Sequence, residues 1–307
     1  MSNINDYASH YKDVSLTDEG FNDLDAMLLT QFSSFHMNDI GVNQDSRISV
    51  REAASRLKES GTITNKNQIE LINALCQSKR YEEIYLSDFV ENNIVRNDPA
   101  GQTIEQFGAI TCSFRDPSTG RMQRYIAYEA TDGTLEGWEE DFYLSFRYGT
   151  EAQKRSKEYL EKIASKYDGD IMLGGHSKGG NDAMYAFLEC DKSVANRITS
   201  IKLYDPPGFS EDISRKDRYQ EMLEKIGNST YAPFDSVIGL LMLGNKKPIF
   251  ISTTKGIVED HDFYSWEVDV NNKSFIEKDQ SFFSVYLDVL FDEIVIFLPN
   301  YVIRCVI

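Results

Sequence analysis

Ile171-Met172-Leu173-Gly174-Gly175-His176-Ser177-Lys178-Gly179-Gly180-Asn181 is the stretch on which the reading of this chain turns. Ile171 to Leu173 reads as a short buried strand, and the residues from about Gly180 to Cys190 read as a helix. Between them Gly175 to Gly179 fits G-x-S-x-G. Composition alone produces that pattern in about one chain of this length in ten. The strand before it and the helix after it therefore carry the weight. A turn this sharp forces its serine into a strained conformation, and the flanking positions must be small to avoid collision. The start of the helix beneath Ser177 favours negative charge developing nearby. Ser177 is the candidate nucleophile.

A serine hydroxyl attacks poorly unless a base takes its proton. On a strand-turn-helix scaffold of this kind the partners follow in the order serine, acid, histidine. The chain has four histidines, His10, His36, His176 and His261, and His261 alone follows Ser177. It lies in a loop after the strand expected over Pro248 to Thr254, a position suited to a general base. Two aspartates lie in the right interval. Asp235, in Phe234-Asp235-Ser236-Val237, is the preferred acid, and Asp205, at the end of the strand after the turn, is the alternative. Either would orient the imidazole and stabilise its protonated form. Asp260 and Asp262 read as solvated loop charges. Two backbone N–H groups are needed for an oxyanion, one from Lys178 and one from an upstream loop. Glu129-Ala130-Thr131-Asp132-Gly133 is the upstream candidate.

Working outward, apolar positions at helical spacing (Phe21, Leu24, Leu28, Phe32, Phe35) predict a helix within residues 16–37, capped at Thr17. Residues 49–59 and 66–77 read as two more helices, the first with Ser49 and Glu52 in a capping-box pattern. Residues 1–100 are thus expected as a helical segment packed on a core spanning 101–307. Phe107 to Phe114 and Met122 to Tyr128 read as a hairpin about the turn Asp116 to Gly120. An amphipathic helix over 151–167, a strand from Ile198 to Tyr204 and a polar helix over 211–226 follow. Strands alternating with helices imply an α/β fold, a mostly parallel sheet with flanking helices.

Of 307 residues, 41% are hydrophobic and 26% charged, as in ordinary globular chains. The net charge of −17 argues against a nucleic-acid partner and against docking on anionic lipid by charge. Cys76, Cys112, Cys190 and Cys305 are scattered without metal-ligand spacing, which fits a reducing compartment. No cofactor or metal is expected. Met1 to Asp13 lacks a signal-peptide pattern, giving a cytoplasmic expectation. The apolar tract Phe282 to Ile307 is broken by Asp288, Asp292, Glu293 and Pro299, so no integral membrane span is expected.

Several runs together resemble a known family. They are Phe21 to Asp25, Thr131-Asp132-Gly133-Thr134-Leu135-Glu136-Gly137-Trp138-Glu139-Glu140-Asp141-Phe142, the Gly174 to Asn181 turn, Leu203 to Phe209, Asp235 to Gly239, and Gly256 to Trp266. The chain resembles the Mbeg1-like group of bacterial lipase-like proteins, relatives of the class 3 lipases within the α/β-hydrolases. The resemblance implies a class 3 lipase-like core with Ser177 as nucleophile, His261 as base, Asp235 as acid and the Thr131 N–H at the oxyanion. Its members typically carry Arg-Gly-Thr-Asp where this chain has Glu129-Ala130-Thr131-Asp132, a reversed charge and a lost glycine beside the site. They also extend further, so a truncated or altered C-terminus is expected. The implied activity is cleavage of a small-molecule or lipid acyl ester through an acyl-enzyme on Ser177. The alternatives are a weakened hydrolase fold serving as a binding or effector protein, and an acyltransferase.

Overall fold

The computed structural model describes residues 2–98, 101–130, 148–209, 213, 217–240, 247–256 and 259–287. Eight strands form one sheet in chain order: β1 (Arg47–Ser49), β2 (Tyr85–Asp98), β3 (Gly101–Arg115), β4 (Met122–Tyr128), β5 (Asp170–His176), β6 (Ile198–Tyr204), β7 (Thr230–Pro233) and β8 (Ile249–Ile251). β1 to β4 pair antiparallel, and β4 to β8 pair parallel. The β3–β4 turn closes as the sequence predicts, with the Asp116 side chain accepting from the amides of Ser118 (2.9 Å) and Thr119 (2.8 Å). This is an α/β architecture.

Helices α1 (Ile4–His10), α2 (Asp23–Ser33), α3 (Val50–Ser60) and α4 (Lys66–Leu75) precede or interleave with the first strands. Helices α5 (Glu151–Lys166), α6 (Lys178–Glu189) and α7 (Asp217–Ile226) follow β4, β5 and β6. Ser49 caps α3 as expected, its hydroxyl accepting from the Glu52 amide at 3.1 Å. The helix expected within 16–37 begins later than Thr17. Asn22 caps it in a box with Asp25, each side chain accepting from the other's backbone amide. Two strands also lie in the first hundred residues. β2 escapes the periodicity reading because a bulge between Ser87 and Val90 breaks its alternation, with Asp88 in the left-handed region at φ 57°.

Strand order explains why the chain needs its helical front. β4 to β7 add in one direction, and right-handed crossovers in one direction put α5, α6 and α7 on one face. There Leu160, Ile163, Phe187 and Met222 pack on Ile126 and Leu173. Strand residues alternate faces, so Tyr125 and Ala127 point to the other side and would face water without a second layer. Leu28 and Phe32 of α2, which packs on β4, share a core with them, and Leu57 and Leu71 of α3 and α4 extend that core.

That second layer is pinned by a buried ion pair. Arg80 and Asp25 are fully buried, joined by Arg80 Nε and Nη2 at 2.7 and 2.6 Å. Asp25 also accepts from the hydroxyls of Tyr7 (3.0 Å) and Tyr81 (2.7 Å), and Arg80 donates to the carbonyls of Glu19 and Gly20, both at 2.8 Å. Removing one partner strands a charge in the core. Arg80→Met is therefore expected to lower stability by about 3–5 kcal/mol in urea unfolding.

Candidate active site

β5 ends at His176, α6 begins at Lys178, and Ser177 stands between them at φ 52°, ψ −127°. Few non-glycine residues adopt such a conformation, and surrounding contacts must enforce it. A Cβ on Gly175 would lie 2.2 Å from the Gly179 carbonyl carbon, and one on Gly179 would lie 2.3 Å from the Tyr128 oxygen. Neither position can carry a side chain without moving backbone. The Ser177 amide donates to the Tyr204 carbonyl at 2.9 Å, which joins the turn to the end of β6.

Asp205 follows Tyr204 directly. It too has a positive φ, 49°, and is 1% exposed, its amide donating to the Tyr231 carbonyl at 2.7 Å. His261 is also buried, and its Nδ1 lies 2.6 Å from Asp205 Oδ2. A carboxylate only accepts, so Nδ1 carries the proton and donates it to Asp205. The Ser236 hydroxyl donates to Asp205 Oδ1 at 2.6 Å and accepts from the Gly239 amide at 2.9 Å. A Cβ on Gly239 would lie 2.1 Å from that oxygen. The Asp235 to Gly239 run is thus a cradle for the Asp205 carboxylate. Asp235 itself is half-buried on the adjoining turn. The place on Nδ1 expected for Asp235 is taken by Asp205, the alternative of the sequence reading. Chain order admits both residues. What separates them is that Asp205 ends the strand adjacent to the serine turn.

The loop bearing His261 is built from its own polar groups. The Trp266 indole and the Ser265 hydroxyl donate to the Asp260 carbonyl at 2.9 and 3.1 Å. Asp262 caps the next turn through the Tyr264 amide at 3.1 Å. Asp260 is 1% exposed, so it is not the solvated charge its neighbourhood implied. Burial first, then the nearby Asp205 and Asp235 carboxylates, raise its pKa to about 7.

Lys178 is the first residue of α6, so its amide belongs to the positive end of that helix. Its ammonium donates to the Gln106 carbonyl and lies 3.9 Å from Asp182. Beside it is a cleft of about 170 Å³ lined by Gln106, Phe107, Glu129 and Ala130 among others. Thr131, and with it the run to Phe142, lies outside the described residues, as does 288–307 of the C-terminal tract. No helix among the described residues is long and apolar enough to cross a membrane.

A parallel-sheet core with a strained serine at a strand-to-helix turn, and a buried histidine–carboxylate pair beside the next strand, is the architecture of an α/β-hydrolase-like fold. The chain belongs to the Mbeg1-like family, whose model matches residues 75–296. Among solved structures it is similar to the Rhizomucor miehei lipase propeptide complex, at 10% identity and a TM-score of 0.34. That likeness covers 70% of this chain and 62% of the other, so the chain spans less than two thirds of that structure's length. No curated protein matches the sequence.

Asp260 supplies a pH test. An unfolded chain ionises this carboxyl near its ordinary 3.8, and the folded chain only near 7. Between those values unfolding releases a proton, so rising pH weakens the fold, and the loss is complete above the folded value. Asp260→Asn removes this liability. Its melting temperature is expected to gain on the wild type from about pH 4 to about pH 7 and to hold a constant lead above about pH 8.

Proposed function

We propose that the protein is a serine hydrolase that cleaves a carboxylic ester, of a lipid or a smaller acyl compound, through an acyl-enzyme on Ser177. The observation that carries this reading is the 2.6 Å contact of His261 with Asp205 beside a serine held at φ 52°. His261 Nε2 takes the Ser177 proton as Oγ attacks the ester carbonyl. Asp205 holds the imidazole in the required tautomer and stabilises the imidazolium that forms. The Lys178 amide at the start of α6 meets the oxyanion, and the Thr131 amide is its proposed companion. Collapse of the tetrahedral species expels the alcohol, which takes its proton from His261. Water, activated by the same histidine, then attacks the acyl-enzyme and releases the acid and free Ser177.

The reading gives Asp205 and Asp235 different weights. On a panel of p-nitrophenyl esters of graded chain length, Ser177→Ala is expected to abolish turnover. Asp205→Asn is expected to lower kcat by about 10³–10⁴-fold, because the amide favours the wrong imidazole tautomer. Asp235→Asn should stay within about threefold of wild type, as expected for a residue outside the relay. A large loss in Asp235→Asn with Asp205→Asn near wild type would reverse the assignment.

A further inference from the structure

His176 has no part in the relay just described, yet it lies against it. Its ring centroid is 4.3 Å from that of His261, with the planes 31° apart. Phe263 contacts the same ring at 4.2 Å and 36°, and Trp266 meets it edge-on at 6.4 Å. His176 Nε2 is buried and has no hydrogen-bond partner among the described residues. Burial, reinforced by the neighbouring His261, pushes its pKa well below the usual histidine value, while contact with the His261 backbone acts in the opposite sense. A neutral ring beside the base leaves His261 as the imidazole that takes the proton.

The mechanics of the base show what such a neighbour does. The Asp205 contact restrains Nδ1 of the His261 imidazole only within the tolerance of one hydrogen bond, so the ring can still rock about the soft terminal torsion of a histidine side chain. A modest rock turns Nε2 away from the direction of the serine while the Asp205 bond stays within its usual range of distance and angle. A flat ring on the face of the imidazole removes that freedom. His176 is well suited, because it is the last residue of β5 and adjoins Ser177 in the chain. The same strand end therefore sets the serine and one wall of the base. A neutral aromatic face also lies favourably under the imidazolium formed during attack.

We propose that His176 is a positioning residue, whose ring face sets the plane of the His261 imidazole and so aims Nε2 at Ser177. This rests on the hydrolase reading above for its kinetic consequence, although the contact itself does not.

The test compares His176→Phe, which keeps a flat ring, with His176→Leu and His176→Met, which keep bulk without one. The aliphatic variants are expected to lose about 10–100-fold in kcat with KM nearly unchanged, since they misdirect the base without touching substrate. His176→Phe should restore kcat to within about threefold of wild type. Proton NMR of the His261 Nδ1–H provides a readout independent of turnover. Wild type and His176→Phe should show one sharp downfield resonance, and the aliphatic variants a broadened or exchanging one. Thermal unfolding identifies any variant that fails to fold, and two aliphatic replacements guard against losing one. Kinetics and resonance unchanged in folded His176→Leu or His176→Met would overturn the proposal. So would equal losses in the Phe and aliphatic variants, which would place the effect in the nitrogen and not in the ring face. If wild type hydrolyses no ester, the hydrolase reading fails, and the resonance still decides whether His176 orders His261.

Discussion

Three backbones meet around Ser177, and the geometry of the site follows from that contact. The end of β4 presses on Gly179 through the Tyr128 carbonyl, and the end of β5 presses on the start of α6 through Gly175. The end of β6 takes the Ser177 amide on the Tyr204 carbonyl. Nothing larger than hydrogen fits at two of these positions, so the chain turns from strand to helix within one residue. Ser177 accepts an unfavourable φ as the consequence. Asp205 repeats the device one strand away, with its own positive φ at the end of β6. Adjacent parallel strands thus end in two strained residues, one bearing the hydroxyl and the other the carboxylate.

The distant helical layer is mechanically joined to this arrangement. α2 starts at Asp23, whose carboxylate pairs with Lys202 at 2.6 Å and accepts from the Tyr231 hydroxyl. The Asp23 carbonyl accepts from the Tyr204 hydroxyl at 2.8 Å, on the residue directly before Asp205. Phe263 and Trp266, which flank His261 in sequence, belong to the same hydrophobic core as that layer. The layer that one-directional crossovers leave the sheet needing is therefore also the one against which the His261 loop is built.

What could be read from the chain alone follows the range of the forces involved. The strand, turn and helix around Ser177 were legible because close packing of glycines is local and leaves a local signature. His261 was legible by elimination, one histidine lying downstream. The acid was not fixed, because Asp205 and Asp235 satisfy chain order equally. Their difference lies in a hydrogen bond between residues 56 apart in sequence. The role of Ser236 and Gly239 as a cradle could not be seen for the same reason. Asp260 looked solvated beside other charges, and only the packing of Trp266 and Ser265 over its backbone shows it buried. β2 was missed because its bulge at Asp88 breaks the alternation on which strand reading depends.

On the proposed reading Ser177 is an activated nucleophile, and its reactivity can be measured without knowing the substrate. A fluorophosphonate reacts with a serine whose proton is taken by a neighbouring base and whose oxyanion is stabilised. The account predicts stoichiometric labelling of the folded protein, mapped by peptide mass spectrometry to the fragment containing Ser177, and no labelling in Ser177→Ala. A folded wild-type protein that stays unlabelled, or carries the label on another residue, would contradict it.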